Sequence, residues 1–281
     1  MYFRGCSMIE IAEGIVLASQ LNKELKGKRI ETVIANSTPH GFAWYHDNPA
    51  DYGERFHGRT VEGAYSCGGK VYLKVSDNHE FMFCEGINIK YYTEIAKVPK
   101  KHQLFIQFND DTYLVCKIQM YGGIYGYQGR LDNIYDAIAR SKPGLLSEEF
   151  DFEYFKELMQ EMNKPRASVK EFLATQQRIP GLGNGTVQDV MLKAGLHPKH
   201  AIGTLTQNEL KFLFQALKET VVAMMEQGGR DVETDIYGNP GGYRTLLSKV
   251  SYKKPCSYCG GEIIKDNFLG GTIYYCPSCQ K

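Results

Sequence analysis

Gln177-Arg-Ile-Pro-Gly-Leu-Gly-Asn-Gly-Thr-Val-Gln-Asp189 joins two helical patterns through a turn made of glycine. Gly181, Gly183 and Gly185 surround Asn184, so the backbone is free to take positive φ values and tight successive turns that a side chain forbids. Unpaired N–H groups at the start of the second helix would then point outward together, and with the helix dipole they favour a phosphate. A plain helix-connecting loop is the alternative. The rest of the chain decides between them.

At 281 residues and 43% hydrophobic content the chain is long enough for two domains with real cores, which excludes disorder. A formal net charge of +1 is neutral on nucleic acid, because a basic face can be balanced elsewhere. Distribution says more. Lys164, Arg166, Lys170, Arg178, Lys193 and Lys199 crowd the opening stretch, and Lys249, Lys253 and Lys254 lead into the C-terminal cysteines. A solvated face is the plain alternative for such clusters. Neither a run long enough for a membrane span nor a secretory signal is visible, so a cytoplasmic protein with no membrane partner is expected. Met1 to Ser7 fit no element and read as a tag or an alternative start, with Met8 opening the first clear pattern.

From Met8 a helix is expected, with Ile11, Ile15, Ala18, Leu21 and Leu25 at helical spacing and Gly27 as its stop. First-turn acids suit the helix dipole, which is the plain explanation of Glu10 and Glu13. Between Arg29 and Tyr127, alternating runs at Ile30–Ala35, Lys70–Val75, Glu80–Cys84, Gln103–Phe108 and Thr112–Ile118 predict an antiparallel sandwich or barrel. A linker is expected between Arg130 and Leu146. Helices follow at Phe152–Met162, Val169–Gln176, Gly185–Ala194 and Thr206–Gln227, and helical character is expected as far as Tyr243. The fold class is therefore α+β in two domains. Residues 1–7 are set apart, 8–135 form the β-sandwich domain, 146–245 the helical domain and 249–281 a cysteine module.

Cys256-Ser-Tyr-Cys259 and Cys276-Pro-Ser-Cys279 have the spacing of a four-cysteine zinc site, while Cys6, Cys67, Cys84 and Cys116 are scattered. Four thiolates around one Zn²⁺ leave no open position, so the site is structural. Glu262–Lys265 and Thr272–Tyr275 alternate like the two strands of a zinc-stapled hairpin. Redox cysteines are the alternative.

Together these features resemble the formamidopyrimidine-DNA glycosylase and endonuclease VIII family. The resemblance covers Met8 to Lys281, and its most specific parts are Gly181-Leu-Gly-Asn-Gly185, Gly195-Leu-His-Pro198 and the four cysteines. It implies a helix–two-turn–helix domain and a zinc finger that grip double-stranded DNA around a damaged or abasic site, with the damaged nucleotide turned into a cleft between domains. By that likeness Lys170 and Asn184 are phosphate ligands, and the amides of the glycine turn, Gly183 among them, form a phosphate cradle. Glu10 resembles the acid that protonates the opening deoxyribose, and Lys70 the lysine that reaches the phosphate beside the lesion. Tyr121 stands where an aromatic wedge is found, and Gln119 where arginine is usual.

Three positions depart from the family. Ile9 stands where the family begins with proline, whose secondary amine attacks C1′ to form a Schiff base; a peptide nitrogen has its lone pair delocalised and is no nucleophile. A free amine on Met8 is the remaining candidate. Ala12 replaces a second proline at the helix start. The hairpin arginine would fall at or next to Gly271, and no Arg or Lys lies between Lys265 and Lys281. Two functions follow as alternatives: an oxidised-base glycosylase with strand-cleaving activity and a non-standard nucleophile, or a lesion- or structure-specific DNA-binding protein that has lost catalysis. A monomer on the bacterial-type nucleoid is expected in either case.

Overall fold

A computed structural model describes residues 9–281, apart from the side chain of Glu85. Cys6 and the residues set apart at the start, together with Met8, lie outside the described residues.

Helix α1 (Ile11–Leu25) buries Leu17, Ala18, Leu21 and Leu25 and ends where Gly27 takes φ +88°. Its small face carries Gly14, where a Cβ would meet Ser66 Oγ at 2.5 Å, so α1 lies close against the strands. Those strands are β1 (Ile30–Ala35), β2 (Ala43–Tyr45), β3 (Val61–Cys67), β4 (Lys70–Val75), β5 (His79–Tyr92), β6 (Leu104–Phe108) and β7 (Tyr113–Gln128), with the short helix α2 (Tyr52–Phe56) between β2 and β3.

They form one sheet in the order β1-β6-β7-β5-β4-β3, antiparallel throughout, to which β2 adds a parallel pairing with β7. The expected sandwich layers are two halves of this sheet. A register shift between Glu85 and Ile87 divides the long β5, and its two ends pair with separate stretches of β7. Val71, Leu73 and Phe83 from one half meet Ile89, Ile106 and Leu114 from the other in a single core.

The linker expected at 130–146 contains a helix, α3 (Ile134–Ser141), capped by Asn133 and bearing the buried Asp136 and Ala139. Asp136 holds it to the sheet by accepting from Tyr72 at 2.5 Å, and Arg140, paired with Asp136 within the helix, donates across to Tyr65 at 2.9 Å and Glu80 at 3.1 Å.

Helices α4 (Phe152–Met162), α5 (Val169–Ala174), α6 (Asn184–Lys193) and α7 (Gln207–Glu226) surround a second core of Phe155, Phe172, Val187, Val190 and Leu213. Their starts are written locally: Asp151 and Ser168 accept from their N3 amides, and Thr206 with Glu209 forms a reciprocal capping box. Helix α5 stops two residues early because Gln176 takes φ +58°. The helical character expected as far as Tyr243 is not present. Gly228 and Gly229, at φ +77° and +97°, end α7, and the chain returns to the β-domain, where Ile236 enters the first core and its carbonyl accepts from Tyr91. The last element is the two-stranded hairpin β8 (Ile264–Phe268) and β9 (Gly271–Tyr275).

Candidate DNA-binding cleft and cysteine centre

The glycines of the opening stretch serve two purposes. Only Gly181 takes a positive φ, +78°, and a Cβ there would overlap the backbone of Gly68 and Gly69 in the β3–β4 turn. Gly183 and Gly185 have ordinary backbone angles; their missing side chains make room for Glu10 and Arg230, which stand where a Cβ would be. The start of the chain, the β3–β4 turn and the start of α6 thus meet at one point. Ile11 N–H donates to Gly181 O at 3.1 Å, and a Cβ on Gly69 would sit 3.2 Å from Ile9 O.

Glu10 fills that point. One carboxylate oxygen accepts from Gly185 N–H at 2.9 Å and from Arg230 Nη1 at 3.0 Å, and the other accepts from Thr186 N–H at 2.9 Å and its hydroxyl at 2.5 Å. Arg230 also donates from Nε and Nη2 to the two oxygens of Glu13, each at 2.9 Å. All three side chains are buried. Two carboxylates against one guanidinium leave an excess negative charge, which the positive end of α6 and its free N–H donors compensate. Burial raises the cost of charging Glu13, but Arg230 outweighs it and holds the carboxyl below its ordinary value. Burial likewise disfavours the charged Arg230, and the two glutamates more than reverse this.

Part of the expected phosphate cradle is occupied from within. The Gly185 and Thr186 amides are taken by the protein's own carboxylate. Gly183 itself makes the close approach of Glu10 possible.

Lys70 is buried at the start of β4, and its Nζ donates to Tyr135 O of α3 at 3.2 Å. Lys170 and Asn184 come together beside Gly271: a Cβ on that glycine would lie 3.7 Å from Lys170 Nζ and 3.9 Å from Asn184 Nδ2. Both side chains hold the hairpin, Lys170 through Phe268 O at 2.6 Å and Asn184 through Thr272 O at 2.9 Å. Asn184 Oδ1 is buried without a hydrogen-bond partner. Burial lowers the Lys170 pKa. A cavity of about 500 Å³ opens over this junction, lined by Glu10, Asn184, Gly271 and Lys249 together with Met120 and Tyr121 of β7. Gln119, next to Met120, is exposed in β7.

Of the basic cluster read from the sequence, Lys170 and Arg178 turn inward, while Lys164, Arg166, Lys199, Lys249, Lys253 and Lys254 stay exposed. Arg178 is buried and donates to the carbonyls of Glu171, Phe172 and Thr175, while Lys199 pairs with Asp266 at 2.8 Å.

Cys256, Cys259, Cys276 and Cys279 bring their sulfurs within 4.8 Å of one another. The Cys256–Cys279 and Cys259–Cys276 pairs are 3.8 and 3.5 Å apart. Four sulfurs at about 2.3 Å from a tetrahedral Zn²⁺ are roughly 3.8 Å apart, so the set fits a metal ion of that kind. The module is docked by side chains that sequence reasoning missed. Gln188 Oε1 accepts from Tyr274 N–H at 2.6 Å, and the buried Gln280 donates to Leu196 O at 2.8 Å. Asp189 accepts from the amides of Leu246 and Leu247 at 2.9 and 2.8 Å. Glu13 and Arg230 were equally hidden: their partners lie more than 200 residues away, and the only local sign was the Gly228-Gly229 pair before Arg230.

Among known proteins, a family model described as the formamidopyrimidine-DNA glycosylase H2TH domain matches residues 142–235. A Bacillus cereus protein named formamidopyrimidine-DNA glycosylase is 26% identical over 280 residues, covering 97% of this chain and 99% of its own. One of the same name from Enterococcus faecalis is 25% identical over 230 residues, with 80% and 81% covered. The fold is that of the Lactococcus lactis Fpg in a complex with abasic-site DNA, with TM-score 0.81, 22% identity and coverage of 97% and 99%. The junction of Glu10 and the glycine turn and the four-cysteine hairpin thus lie in a chain that is similar over nearly its whole length to formamidopyrimidine-DNA glycosylases and matches their H2TH domain at residues 142–235.

Proposed function

We propose that this protein is a DNA glycosylase of base excision repair that acts on double-stranded DNA, excises oxidised bases and cleaves the strand at the resulting abasic site. One observation carries the reading: Glu10 lies on the wall of an interdomain cleft that Asn184 also lines, at the point where the start of the chain meets the N-terminus of α6. The solved Lactococcus lactis relative with abasic-site DNA supports the choice of ligand.

Cleavage of this type needs an amine that attacks C1′, displaces the base and forms a Schiff base, followed by β-elimination. The nitrogen of Ile9 is a peptide, so the reaction requires the terminal amine of a chain that begins at Met8. Glu10 would take the proton that the amine sheds on attacking C1′ and pass it to the opening sugar, exchanging one of its four hydrogen bonds for the substrate. Lys170 and Asn184 would take a phosphate each by letting go of Phe268 O and Thr272 O. Cys256, Cys259, Cys276 and Cys279 would hold one Zn²⁺, whose part is to fix the hairpin against α6. The protein would act as a monomer in the cytoplasm, on nucleoid DNA; among the described residues no helix is long and apolar enough to cross a membrane.

Borohydride trapping on abasic-site DNA tests the reaction, using protein that begins at Met8. A covalent adduct and strand scission are expected from that form, and loss of both in Glu10→Gln. Absence of adduct and product in the native form sinks the enzymatic reading. What then remains is a lesion-specific DNA-binding protein, a reading favoured by Ile9 and by the saturation of both Glu10 oxygens, which would bind abasic or bulged duplex and release no base.

A further inference from the structure

The β-domain leaves large apolar side chains uncovered beside the cleft: Phe42 is 64% exposed, Trp44 45% and Met120 46%. Strand pairing explains their positions. Trp44 lies opposite Gly123 in the parallel β2–β7 pair, flanked by Ala43 opposite Gly122 and Tyr45 opposite Ile124. Ala43 and Tyr45 pack on the first core. Alternation along a strand therefore turns Trp44 to the other face. The same face of β7 carries Tyr121, whose ring centroid is 6.0 Å from that of Trp44, and then Gly123, which has no side chain to cover the indole. Tyr121 and Met120 in turn line the 500 Å³ cleft together with Asn184 and Lys249. The aromatic patch is thus continuous with the cleft.

The chemistry of this surface selects its occupant. One flat, half-exposed indole, braced by a tyrosine that lines the same cleft as the Asn184 amide and the Lys249 ammonium, matches a nucleobase attached to a phosphodiester; base–aromatic stacking is tolerant of sequence because every base has a π face. We propose that Trp44, braced by Tyr121, is a stacking platform for an unpaired base of the duplex held in the cleft. The inference rests on the DNA reading above and adds a residue and a role to it. An abasic site supplies such a base, the one left without a partner on the opposite strand. Trp44 would then discriminate damaged from intact duplex without reading a particular lesion.

Trp44 is the only tryptophan in the chain, so its fluorescence reports on this position alone. The full chain is titrated with a duplex containing one central tetrahydrofuran abasic site and with the same duplex intact, following tryptophan emission and the anisotropy of labelled DNA together. Quenching of Trp44 with the abasic duplex and much less with the intact one is expected. Trp44→Ala should weaken binding to the abasic duplex about tenfold and to the intact duplex less than threefold, and Trp44→Phe should restore most of the loss. Circular dichroism melts establish that both variants are folded. Saturable binding with unchanged emission, or equal losses on both duplexes, overturns the platform while leaving DNA binding in place. No saturable binding of the native chain to either duplex overturns the DNA reading and the platform with it.

Discussion

The Arg230 guanidinium occupies the space where a Cβ on Gly185 would stand. Gly185 lies in the first turn of α6, where helix propensity alone would make Gly185→Ala stabilising by up to about 1 kcal/mol. Overlap with Arg230 outweighs that gain, because the guanidinium is held by both Glu10 and Glu13 and displacing it leaves two buried carboxylates without their cation. We expect Gly185→Ala to destabilise the protein by about 3 kcal/mol, on the scale of breaking a buried ion pair. Urea denaturation checks this; a variant as stable as the native protein would show that Arg230 moves freely.

Arg230→Met tests the same group from the other side. Removing the cation should cost about 3–5 kcal/mol at neutral pH. Adding Glu13→Gln should recover part of the loss, since one of the two stranded charges is then gone. Double-mutant analysis measures the coupling, and strict additivity of the two changes would refute a shared network.

Asp189 gives a pH dependence. Burial pushes its carboxyl up to about 6 from an ordinary value of 3.8, although the Leu246 and Leu247 amides favour the charged form. The native protein therefore binds more protons than the unfolded chain between about pH 4 and 6. This contribution to stability is fully present below the unfolded value and is lost as pH rises through about 6, a change of roughly 3 kcal/mol. Asp189→Asn removes the titration, so the stability difference between variant and native protein should shift in the variant's favour from pH 4 to pH 7. Parallel pH profiles in urea melts would contradict it.

Gly271 is open to a gain of function. A Cβ there would meet Lys170 Nζ at 3.7 Å and Asn184 at 3.9 Å, both ordinary contacts. Gly271→Arg should be tolerated, tighten binding to abasic duplex, and steepen the dependence of log K on log salt by about one unit, as one more phosphate contact requires. Anisotropy titrations between roughly 50 and 200 mM salt decide it; an unchanged slope would mean the arginine does not reach the backbone.

Local signals carried the architecture further than the site. The helix starts at Asp151, Ser168 and Thr206 were legible because a cap and its amide are three residues apart. The cysteine pairs were legible because metal geometry fixes their spacing. Strands β2 and β3 were missed: the first has only three residues, and the second, Val61-Glu-Gly-Ala-Tyr-Ser-Cys67, contains too few apolar residues to alternate clearly. At the site, glycine was read as backbone freedom. For Gly183 and Gly185 the reason is the bulk of Glu10 and Arg230, supplied from 173 and 45 residues away, and no window on the sequence brings those together.

The cysteine hairpin gives the last prediction. Each strand has five residues, and an isolated two-stranded hairpin of this size is marginal in water. Its own apolar cluster is small, so the metal closure has to supply the folding energy. The hairpin is also the partner of α6 and α5: Gln188 holds Tyr274, Asn184 holds Thr272 and Lys170 holds Phe268. Chelation should therefore remove hydrogen-exchange protection from residues after about 254, free Lys170 and Asn184 from the positions they share beside Gly271, and weaken DNA binding. The core around Phe81, Phe83 and Ile124 should keep its protection, because none of its contacts passes through the cysteines. Hydrogen exchange by mass spectrometry, before and after metal loss verified by elemental analysis, reads both halves at once. Full protection of the hairpin without metal would mean that docking on α6 alone holds it; loss of protection in the β-domain as well would mean that the two domains fold as one unit.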